Sequence, residues 1–437
     1  MNPPLLIRGA EIDGRTAHVR VVGGRVDAIG TALTHTGEDD VIDARGGALL
    51  PGLVDHHLHL HALAAAARSV PCGPPQVAGA GPLASALRSA TADRRGWVRG
   101  TGYHESVAGV LDSQALDRLH TGRPVRIQHR SGAMWMLNSA AAARVNLATA
   151  THPGIERRDD GTPTGRIWRA DAWLRARLPA EPPADLNGVG ATLAGYGITA
   201  VTDATPDLDA AAIAAVVAAH RAGALPQRIH LLGAPLGAQL PAGLTAGPYK
   251  IILADSALPG FDELVDRIRA ARAADRGVAV HCVSREALTL LLAALEVAGH
   301  RPGDRVEHAA LVTPELLSEL RHRGLRVVTQ PGFLADRGDG YLRDVPPADQ
   351  EDLYRCRSLR DAGVPVALSS DAPYGPLDPW AVMDGKPQSL EPLLEMYQAD
   401  RDAGLPDAPW PPVYPKMPDE APRVAPSRAR KAPGDGS

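Results

Sequence analysis

Between residues 197 and 369 the sequence alternates short apolar runs with longer helical patterns, and this alternation restricts the fold more than any other feature. Apolar side chains in 261–274 recur with the 3.6-residue spacing of a helix, and Thr313 followed by Pro314 predicts the start of another helix. Strands that alternate with helices predict parallel βα units. Several consecutive units predict an α/β fold built as a TIM-type (β/α)8 barrel. The predicted strands are 197–202, 227–232, 249–253, 278–281, 305–308, 325–329 and 364–369.

Residues 1–50 have a different pattern, which predicts a separate small β-domain. Short β-like runs are broken by Asp13-Gly14 and Gly23-Gly24, dipeptides that favour turns between antiparallel strands. We expect a sandwich-like domain whose C-terminal part is missing, because the sequence after Met383 contains no comparable strand-like run.

The barrel is predicted over residues 51–383, and its first strand follows Pro51-Gly52. The stretch from about 70 to 190 is less regular and rich in Gly and Pro, so we expect insertions over the barrel mouth. Residues 384–437 contain few apolar side chains and many prolines, which predicts a disordered tail.

Charge and cysteine content exclude several classes of protein. Forty-six Lys and Arg against fifty Asp and Glu give a net charge of −4, without the basic stripe typical of nucleic-acid binding. Three widely spaced cysteines predict neither a disulfide framework nor a thiolate zinc site, and they favour a cytoplasmic location. No apolar run approaches the roughly 18 residues of a membrane helix. The expected partner is a small-molecule substrate. Whether the chain forms a homo-oligomer stays an open question.

The densest chemical signal is the histidine-rich segment 55–61, directly after an apolar run. Side chains two positions apart in a strand point the same way, so His57 and His59 present two imidazoles to one side. Two metal bonds of about 2.0–2.1 Å require such an arrangement. The alternative is a surface histidine cluster, which an isolated pair of this kind more often is.

Later strands end in further residues of the metal-ligand type. His281 and His308 are the last residues of two predicted strands, and Asp371 follows a third. Active sites of TIM barrels lie at the carboxyl ends of the strands. The recurrence of ligand-type residues at these ends therefore favours a metal centre over a surface cluster.

Several segments resemble a known family. Three of them, RSGAMWMLNSAA at 130–141, GTPTGR at 161–166 and SSDAPYGPLDPW at 369–380, look like the branch that contains N-substituted formamide deformylases. The resemblance covers about residues 1–383 and is more specific for the superfamily than for a substrate. The chain resembles the amidohydrolase superfamily in PGLVDHHLH at 51–59, VAVH at 278–281, RVEHA at 305–309 and SSDAPYGPLDPW at 369–380.

This resemblance implies one or two divalent metal ions at the ends of the strands. Zinc is the first choice for imidazole and carboxylate ligands, although other first-row metals suit them. Such a metal lowers the pKa of water towards about 7 and polarises a carbonyl group, while Asp371 would transfer the proton. One ion would be held by His57 and His59 and the other by His281 and His308, with Lys250 between them and Asp371 as a further ligand.

Lys250 interrupts the apolar run 249–253, where an unpaired ammonium group facing a core would be costly. The resemblance implies that Lys250 occupies the position of a carboxylated lysine that bridges two metals in related enzymes. The alternative is an outward-facing lysine whose charge reaches solvent past a helix.

Three further residues, His61, His129 and Arg130, are predicted to contact the substrate. His61 shares the strand parity of the two imidazoles, and it either lines the pocket or orients a ligand. His129 and Arg130 end a strand-like run and suit recognition of a carbonyl or carboxylate group. Trp135 is expected to pack in the core, and Asn138 is expected to cap the start of a helix.

The predicted function is hydrolysis of a C–N bond, of the amide or N-substituted formamide type, in a small molecule by metal-activated water. The alternative is a truncated, non-catalytic relative that keeps the ligands, and the atypical sequence after Met383 is the feature that favours it. A barrel isomerase or lyase with the same metal is a third interpretation, and its products would show no net addition of water.

Overall fold

The computed structural model describes residues 3–178 and 185–380. The chain divides between Leu53 and Val54 into two compact units, each of which is described by itself. The predicted tail, 384–437, lies outside the described residues.

The described residues of the first unit form one four-stranded sheet of order β3-β2-β1-β4. As expected, β1, β2 and β3 are joined by antiparallel pairing. The strand β4 departs from this antiparallel pattern, because it pairs parallel to β1, with Leu5 opposite Asp40. The physical reason is the connection 31–39, which carries the chain back along the sheet before β4 begins. The strands are β1 (Leu5–Ile12), β2 (Arg15–Val22), β3 (Arg25–Gly30) and β4 (Asp40–Asp43).

The remaining strands begin at the boundary between the units and continue to residue 368. They are β5 (Leu53–Leu58), β6 (Val70–Pro71), β7 (Val98–Tyr103), β8 (Val125–His129), β9 (Met134–Leu137), β10 (Ile155–Arg157), β11 (Pro163–Trp168), β12 (Ile198–Asp203), β13 (Arg228–Leu231), β14 (Leu244–Ala246), β15 (Tyr249–Ile252), β16 (Val278–Cys282), β17 (Arg305–His308), β18 (Arg326–Thr329) and β19 (Val366–Leu368).

The helices of the described residues lie in the second unit. The α-helices are α1 (Leu60–Ala66), α2 (Ala80–Ser89), α3 (Glu105–Ala108), α4 (Ser113–Leu119), α5 (Ser139–Arg144), α6 (Asp171–Arg175), α7 (Asn187–Gly195), α8 (Ala210–Arg221), α9 (Phe261–Ala273), α10 (Arg285–Ala298), α11 (Pro314–His322), α12 (Gly332–Asp344) and α13 (Cys356–Asp361). Two short 3₁₀ helices span Leu147–Thr149 and Pro347–Asp352.

Two sheets hold the βα units, with the orders β14-β13-β12-β5 and β15-β16-β17-β18-β19. Each of the seven predicted strands overlaps one observed strand, and the α/β class is confirmed. The parallel strands are apolar because both of their faces are covered: Val280, Val306 and Val327 lie opposite one another on β16, β17 and β18, and all are buried.

Strand pairing among the described residues leaves both sheets open, so the predicted closed barrel is not seen. Backbone hydrogen bonds outside the strand pairing nevertheless join the edges of the two sheets. Lys250 on β15 donates its N–H to Leu232 O, just beyond β13, at 3.2 Å. Asp371, beyond β19, donates its N–H to His57 O on β5 at 2.7 Å.

Helix starts follow the sequence signals. Thr313 accepts a hydrogen bond from the N–H of Leu316 at the start of α11, as predicted. Asn138 likewise caps α5 by accepting from the N–H of Ala141, so its predicted N-cap role is confirmed. The predicted helix 261–274 corresponds to α9.

The insertion forms a six-stranded sheet of order β10-β11-β9-β8-β7-β6, called the insertion sheet below. Both β8 and β11 pair antiparallel with the central β9, so their carboxyl ends lie at the same edge. Trp135 on β9 is buried in the apolar cluster beneath the sheet, which confirms its predicted packing role.

None of the helices in the described ranges is long and apolar enough to cross a membrane. The cytoplasmic location and the open question of a homo-oligomer stay predictions.

Candidate metal centre

Two imidazoles and a carboxylate converge where β5 and β19 end. One side-chain atom from each of His57, His59 and Asp371 lies within 4.8 Å of the other two. The Oδ1 atom of Asp371 is 3.1 Å from Nε2 of His59 and 3.5 Å from Nε2 of His57. Because His57 and His59 are two positions apart, the strand aims both rings at the same carboxylate.

Asp371 is held in place by its own backbone and by its neighbour. Its N–H bonds to the carbonyl of His57, and its φ of +53° lies in the left-handed region. The preceding Ser370 donates its Oγ–H to Asp55 Oδ2 at 2.5 Å and its N–H to Asp55 Oδ1 at 3.2 Å. Burial raises the pKa of Asp55 to about 6, although these hydrogen bonds oppose the rise.

The other three predicted ligands surround this group. The Nζ atom of Lys250 is 3.5 Å from Nε2 of His57, and the lysine is buried. The ring centroid of His308 is 4.8 Å from that of His57 and 4.5 Å from that of His281. The structure therefore brings all six predicted ligand residues to one place. His57 and His59 come from the end of β5, and Lys250 is the second residue of β15. The other three lie at or just beyond the ends of later strands.

Hydrogen bonds fix the orientation of three imidazoles through their Nδ1 atoms. His57 Nδ1 bonds to a carboxylate oxygen of Glu307, and His59 Nδ1 lies 3.1 Å from Thr205 Oγ1. His308 Nδ1 lies 2.8 Å from Gln330 Oε1. When each Nδ1 carries the proton, each Nε2 keeps its lone pair for a metal ion.

Burial also favours the neutral form of the imidazoles, which is the form that binds a metal ion. It lowers the pKa of His57 and of His281 well below the ordinary value, and neighbouring positive charges lower both further. Burial alone would raise the pKa of Asp371, but the hydrogen bond from His59 and the nearby positive groups keep it below its ordinary value. Neutral imidazoles beside an ionised carboxylate are a donor set that fits a divalent cation.

Lys250 differs from the other candidate ligands because its protonated side chain would place a positive charge in a site that binds cations. Burial lowers its pKa, whereas the charges of Glu307 and Asp371 act in the opposite direction. The alternative of a lysine that reaches solvent is wrong, since Lys250 is only 3% exposed.

Tyr374 joins the centre to the insertion sheet. Its ring centroid is 5.4 Å from that of His59. On the other side it fills the space beside Gly132, where an added Cβ would lie 2.6 Å from Cε1 of the tyrosine. The turn between β8 and β9 thus contacts the loop that carries Asp371.

The three residues predicted to contact substrate lie in two places. His61, on α1, has its Nε2 atom 3.1 Å from Ala212 O, a hydrogen bond that orients the ring towards α8. His129 ends β8, with Nε2 3.1 Å from Glu105 Oε2, and Arg130 follows it at the same edge of the insertion sheet.

Some residues of the site had no assigned role in the sequence interpretation. Glu307 carried a signal, because Arg305 and Glu307 place opposite charges on one face of an apolar strand, and Arg305 Nε donates to Glu307 Oε1 at 2.5 Å. Thr205 and Gln330 carried none, since their residue types are common in loops and strand ends.

A protein-family model described as the amidohydrolase family matches residues 40–385 of the chain. The chain belongs to the amidohydrolase family. Its predicted resemblance is thereby confirmed, as is its class as a hydrolase.

Relatives of this amidohydrolase are distant. It is 26% identical to the N-substituted formamide deformylase of Arthrobacter pascens, over 84% of this chain and 79% of that protein. It is also 26% identical to YtcJ of Bacillus subtilis (strain 168), which is named as an amidohydrolase, over 78% of this chain and 73% of that protein.

Solved structures share the fold of this amidohydrolase. An uncharacterized metal-dependent hydrolase from Pyrococcus furiosus is 20% identical, with a TM-score of 0.66, over 87% of this chain and 88% of that one. A second, from Pyrococcus horikoshii OT3, is 19% identical, with a TM-score of 0.67, over 92% of this chain and 89% of that one.

Proposed function

We propose that this amidohydrolase uses a divalent metal centre to hydrolyse a C–N bond, of the amide or N-substituted formamide type, in a small molecule. The single observation that carries the proposal is the convergence of His57, His59 and Asp371 within 4.8 Å, with Lys250 against His57. Family membership and the name of the Arthrobacter pascens relative support the bond type.

In this proposal the six residues divide between one or two cations, with zinc as the first choice. His57 and His59 would hold the first cation, and His281 and His308 would hold the second. Lys250 would supply an anionic oxygen ligand as a carbamate, formed when its neutral amine attacks CO₂ and loses a proton. The complete burial of the lysine among the imidazoles supports this assignment, because the carbamate replaces a cation with an anionic oxygen ligand.

The bound cation supplies positive charge that lowers the pKa of a water molecule and polarises the substrate carbonyl group. Asp371 provides the base: its carboxylate is ionised at neutral pH and takes a proton from the attacking water. It returns that proton to the leaving nitrogen, so that one amide and one water give a carboxylic acid and an amine, which at neutral pH exchange a proton to become a carboxylate and an ammonium ion. The Oδ1 atom of Asp371 lies 3.1 Å from Nε2 of His59, so the two side chains would hold the same cation.

Substrate recognition is assigned to the neighbourhood of the insertion sheet. His129 and Arg130, at the end of β8, are proposed to contact the carbonyl side of the substrate. His61, which lies on α1, is proposed to act through its hydrogen bond to Ala212 O rather than by direct contact with the substrate.

The proposal includes the architecture that holds the ligands. We assign β5, β12, β13 and β15 to β19 to one eight-stranded TIM-type barrel, which the edge hydrogen bonds of Lys250 and Asp371 support. The domain limits, 1–50 for the β-domain and 51–383 for the barrel, belong to the same proposal.

Metal analysis and an amide panel test the function. Purified protein reconstituted with zinc should bind at least one equivalent and hydrolyse at least one formamide or amide. His59→Ala should lose both properties. His56→Ala, which removes a ring from the opposite face of β5, should keep its metal. A protein that binds metal but hydrolyses no formamide, amide, lactam or ester would favour the non-catalytic alternative.

A further inference from the structure

Arg276 is a buried arginine whose side chain bonds to backbone rather than to a carboxylate. It lies between α9 and β16 and is 8% exposed. Within residues 3–178 and 185–380, all hydrogen bonds of its guanidinium group go to backbone carbonyl oxygens, and no carboxylate forms an ion pair with it. A buried guanidinium group is costly unless its N–H groups are satisfied. The carbonyl groups that satisfy them show what Arg276 holds in place.

These carbonyl groups surround the strand break, residues 247 and 248, which separates β14 from β15. Nε donates to Gly247 O at 2.7 Å, and Nη2 donates to Leu232 O at 2.9 Å. Nη1 donates to Ala234 O at 2.5 Å and to Pro235 O at 3.3 Å. The last three carbonyl groups belong to the segment just after β13. Arg276 therefore joins this segment to the strand break.

The strand break changes the side to which the backbone bonds. The N–H of Gly247 donates to Leu231 O on β13, whereas the N–H of Tyr249 donates to Gly277 O, just before β16. Residues two apart in a regular strand bond to the same side and share a face. The alternation therefore shifts by one at Pro248, which has no N–H of its own. A shift of one residue turns every following side chain to the opposite face.

This shift directs Lys250 to the candidate metal centre. The N–H of Lys250 donates to Leu232 O at 3.2 Å, and the same oxygen accepts from Nη2 of Arg276. The lysine side chain is buried, with Nζ 3.5 Å from Nε2 of His57. An unbroken strand would turn this side chain to the other face, away from the imidazole. The shared oxygen of Leu232 thus links the position of Lys250 to Arg276.

We propose that Arg276 is a positioning residue that holds Lys250 on the face of the candidate metal centre. Among the described residues, Gly247 O and Ala234 O accept no backbone hydrogen bond, and the guanidinium group supplies their donors. Without it, buried carbonyl groups at the strand break would be unsatisfied, which favours local opening of this segment. This inference rests on the proposed function and adds a residue outside the set of ligands.

The test measures zinc affinity and carbamate formation in Arg276→Met. This variant should bind zinc about 10- to 100-fold more weakly and lose the carbon-13 carbamate signal obtained with labelled CO₂. Arg276→Lys keeps a donor at this position and should recover part of the zinc affinity.

Two controls should keep both properties. Arg323→Met removes an arginine that is paired with Glu296 and Glu319 instead of carbonyl groups. Val265→Ala removes buried apolar atoms from α9, so it lowers Tm without touching the strand break.

Each other outcome has a defined meaning. Unchanged zinc affinity and carbamate signal in Arg276→Met, or equal losses in Val265→Ala, would overturn the inference while leaving the proposed function in place. If Arg276→Met does not unfold cooperatively, Arg276→Lys decides: zinc binding weaker than that of wild type supports the inference, and unchanged binding overturns it.

A different result in wild type tests the proposed function itself. If wild type binds no zinc or gives no carbamate signal, the proposed role of Lys250 as a ligand fails. Amide hydrogen exchange of metal-free protein then decides for Arg276, because the N–H of Lys250 bonds to the carbonyl group that Arg276 holds. Faster exchange of this N–H in Arg276→Met than in Val265→Ala supports the inference, and equal exchange overturns it.

Discussion

Glu307 on β17 accepts a hydrogen bond from Nδ1 of His57 on β5, although 250 positions separate the two residues in the sequence. The same carboxylate accepts from Nε of Arg305, whose Nη2 also donates to His56 O at 2.9 Å. The buried Arg305–Glu307 pair therefore bonds both to the side chain of His57 and to the backbone of β5. The contact links strands of two different sheets beside the predicted ligands.

Glu307→Gln should weaken divalent metal binding by about 10- to 100-fold, because the amide can no longer accept strongly from His57 and orient its ring. It should also lower Tm, since Arg305 would be left buried without its counter-charge. Zinc titration and thermal unfolding check the two effects. Glu319→Gln, an exposed residue of α11, is the control. Unchanged zinc affinity in the Glu307 variant would contradict the orienting role.

Lys250→Ala should lose one metal equivalent and most hydrolytic activity if the lysine acts as a carbamate. Wild-type protein stripped of metal and reloaded in CO₂-free buffer should regain less activity than protein reloaded with bicarbonate. A carbon-13 NMR signal from labelled CO₂ should appear in wild type and in the control Lys431→Ala, but not in Lys250→Ala. Full metal loading without CO₂ would count against the carbamate.

Gly132→Ala should impair the centre from a distance. The added Cβ would lie 2.6 Å from Cε1 of Tyr374, and the tyrosine ring is packed against His59. Overpacking of this kind costs about 1–3 kcal/mol, so both Tm and kcat/KM should fall. Gly161→Ala is a matched control, because its φ of +81° imposes the same backbone cost while no atom lies within 4 Å of the new Cβ. Equal activity in the two variants would show that Tyr374 does not transmit the change.

Asp39→Asn should destabilise the protein in a pH-dependent way. Hydrogen bonds from the Thr36 N–H and from Arg20 lower the pKa of Asp39 to about 2. A carboxyl group whose pKa is lowered by folding stabilises the protein above its ordinary pKa of 3.8, and this stabilisation is lost as pH falls through about 2. The Tm difference between wild type and variant should therefore be constant near neutral pH and shrink below about pH 4. Asp27→Asn, exposed on β3, provides the comparison, and a Tm difference that persists at pH 2 would contradict the assignment.

The sequence was informative wherever chemistry coincides with the end of a strand. The positions of His57, His281, His308 and Asp371 could be predicted because strand ends are visible as the last residue of an apolar run. The insertion sheet could not, because strands such as β9 are buried on both faces and show no two-residue alternation.

The hydrogen-bond partners of the ligands could not be predicted from the sequence for another reason. Thr205, Glu307 and Gln330 matter only because of the strands that become their neighbours in the fold. A single sequence records neither that adjacency nor the rotation of a ring.

The 312 positions between His59 and Asp371 have a consequence for how the protein is made. A ribosome adding about 5–20 residues per second needs about 15–60 s to reach the aspartate after it has incorporated the histidine. During that interval the nascent chain carries imidazoles without the carboxylate that completes the group. Stable metal capture is therefore a late event in biosynthesis, which begins only when nearly all of the catalytic unit has left the ribosome.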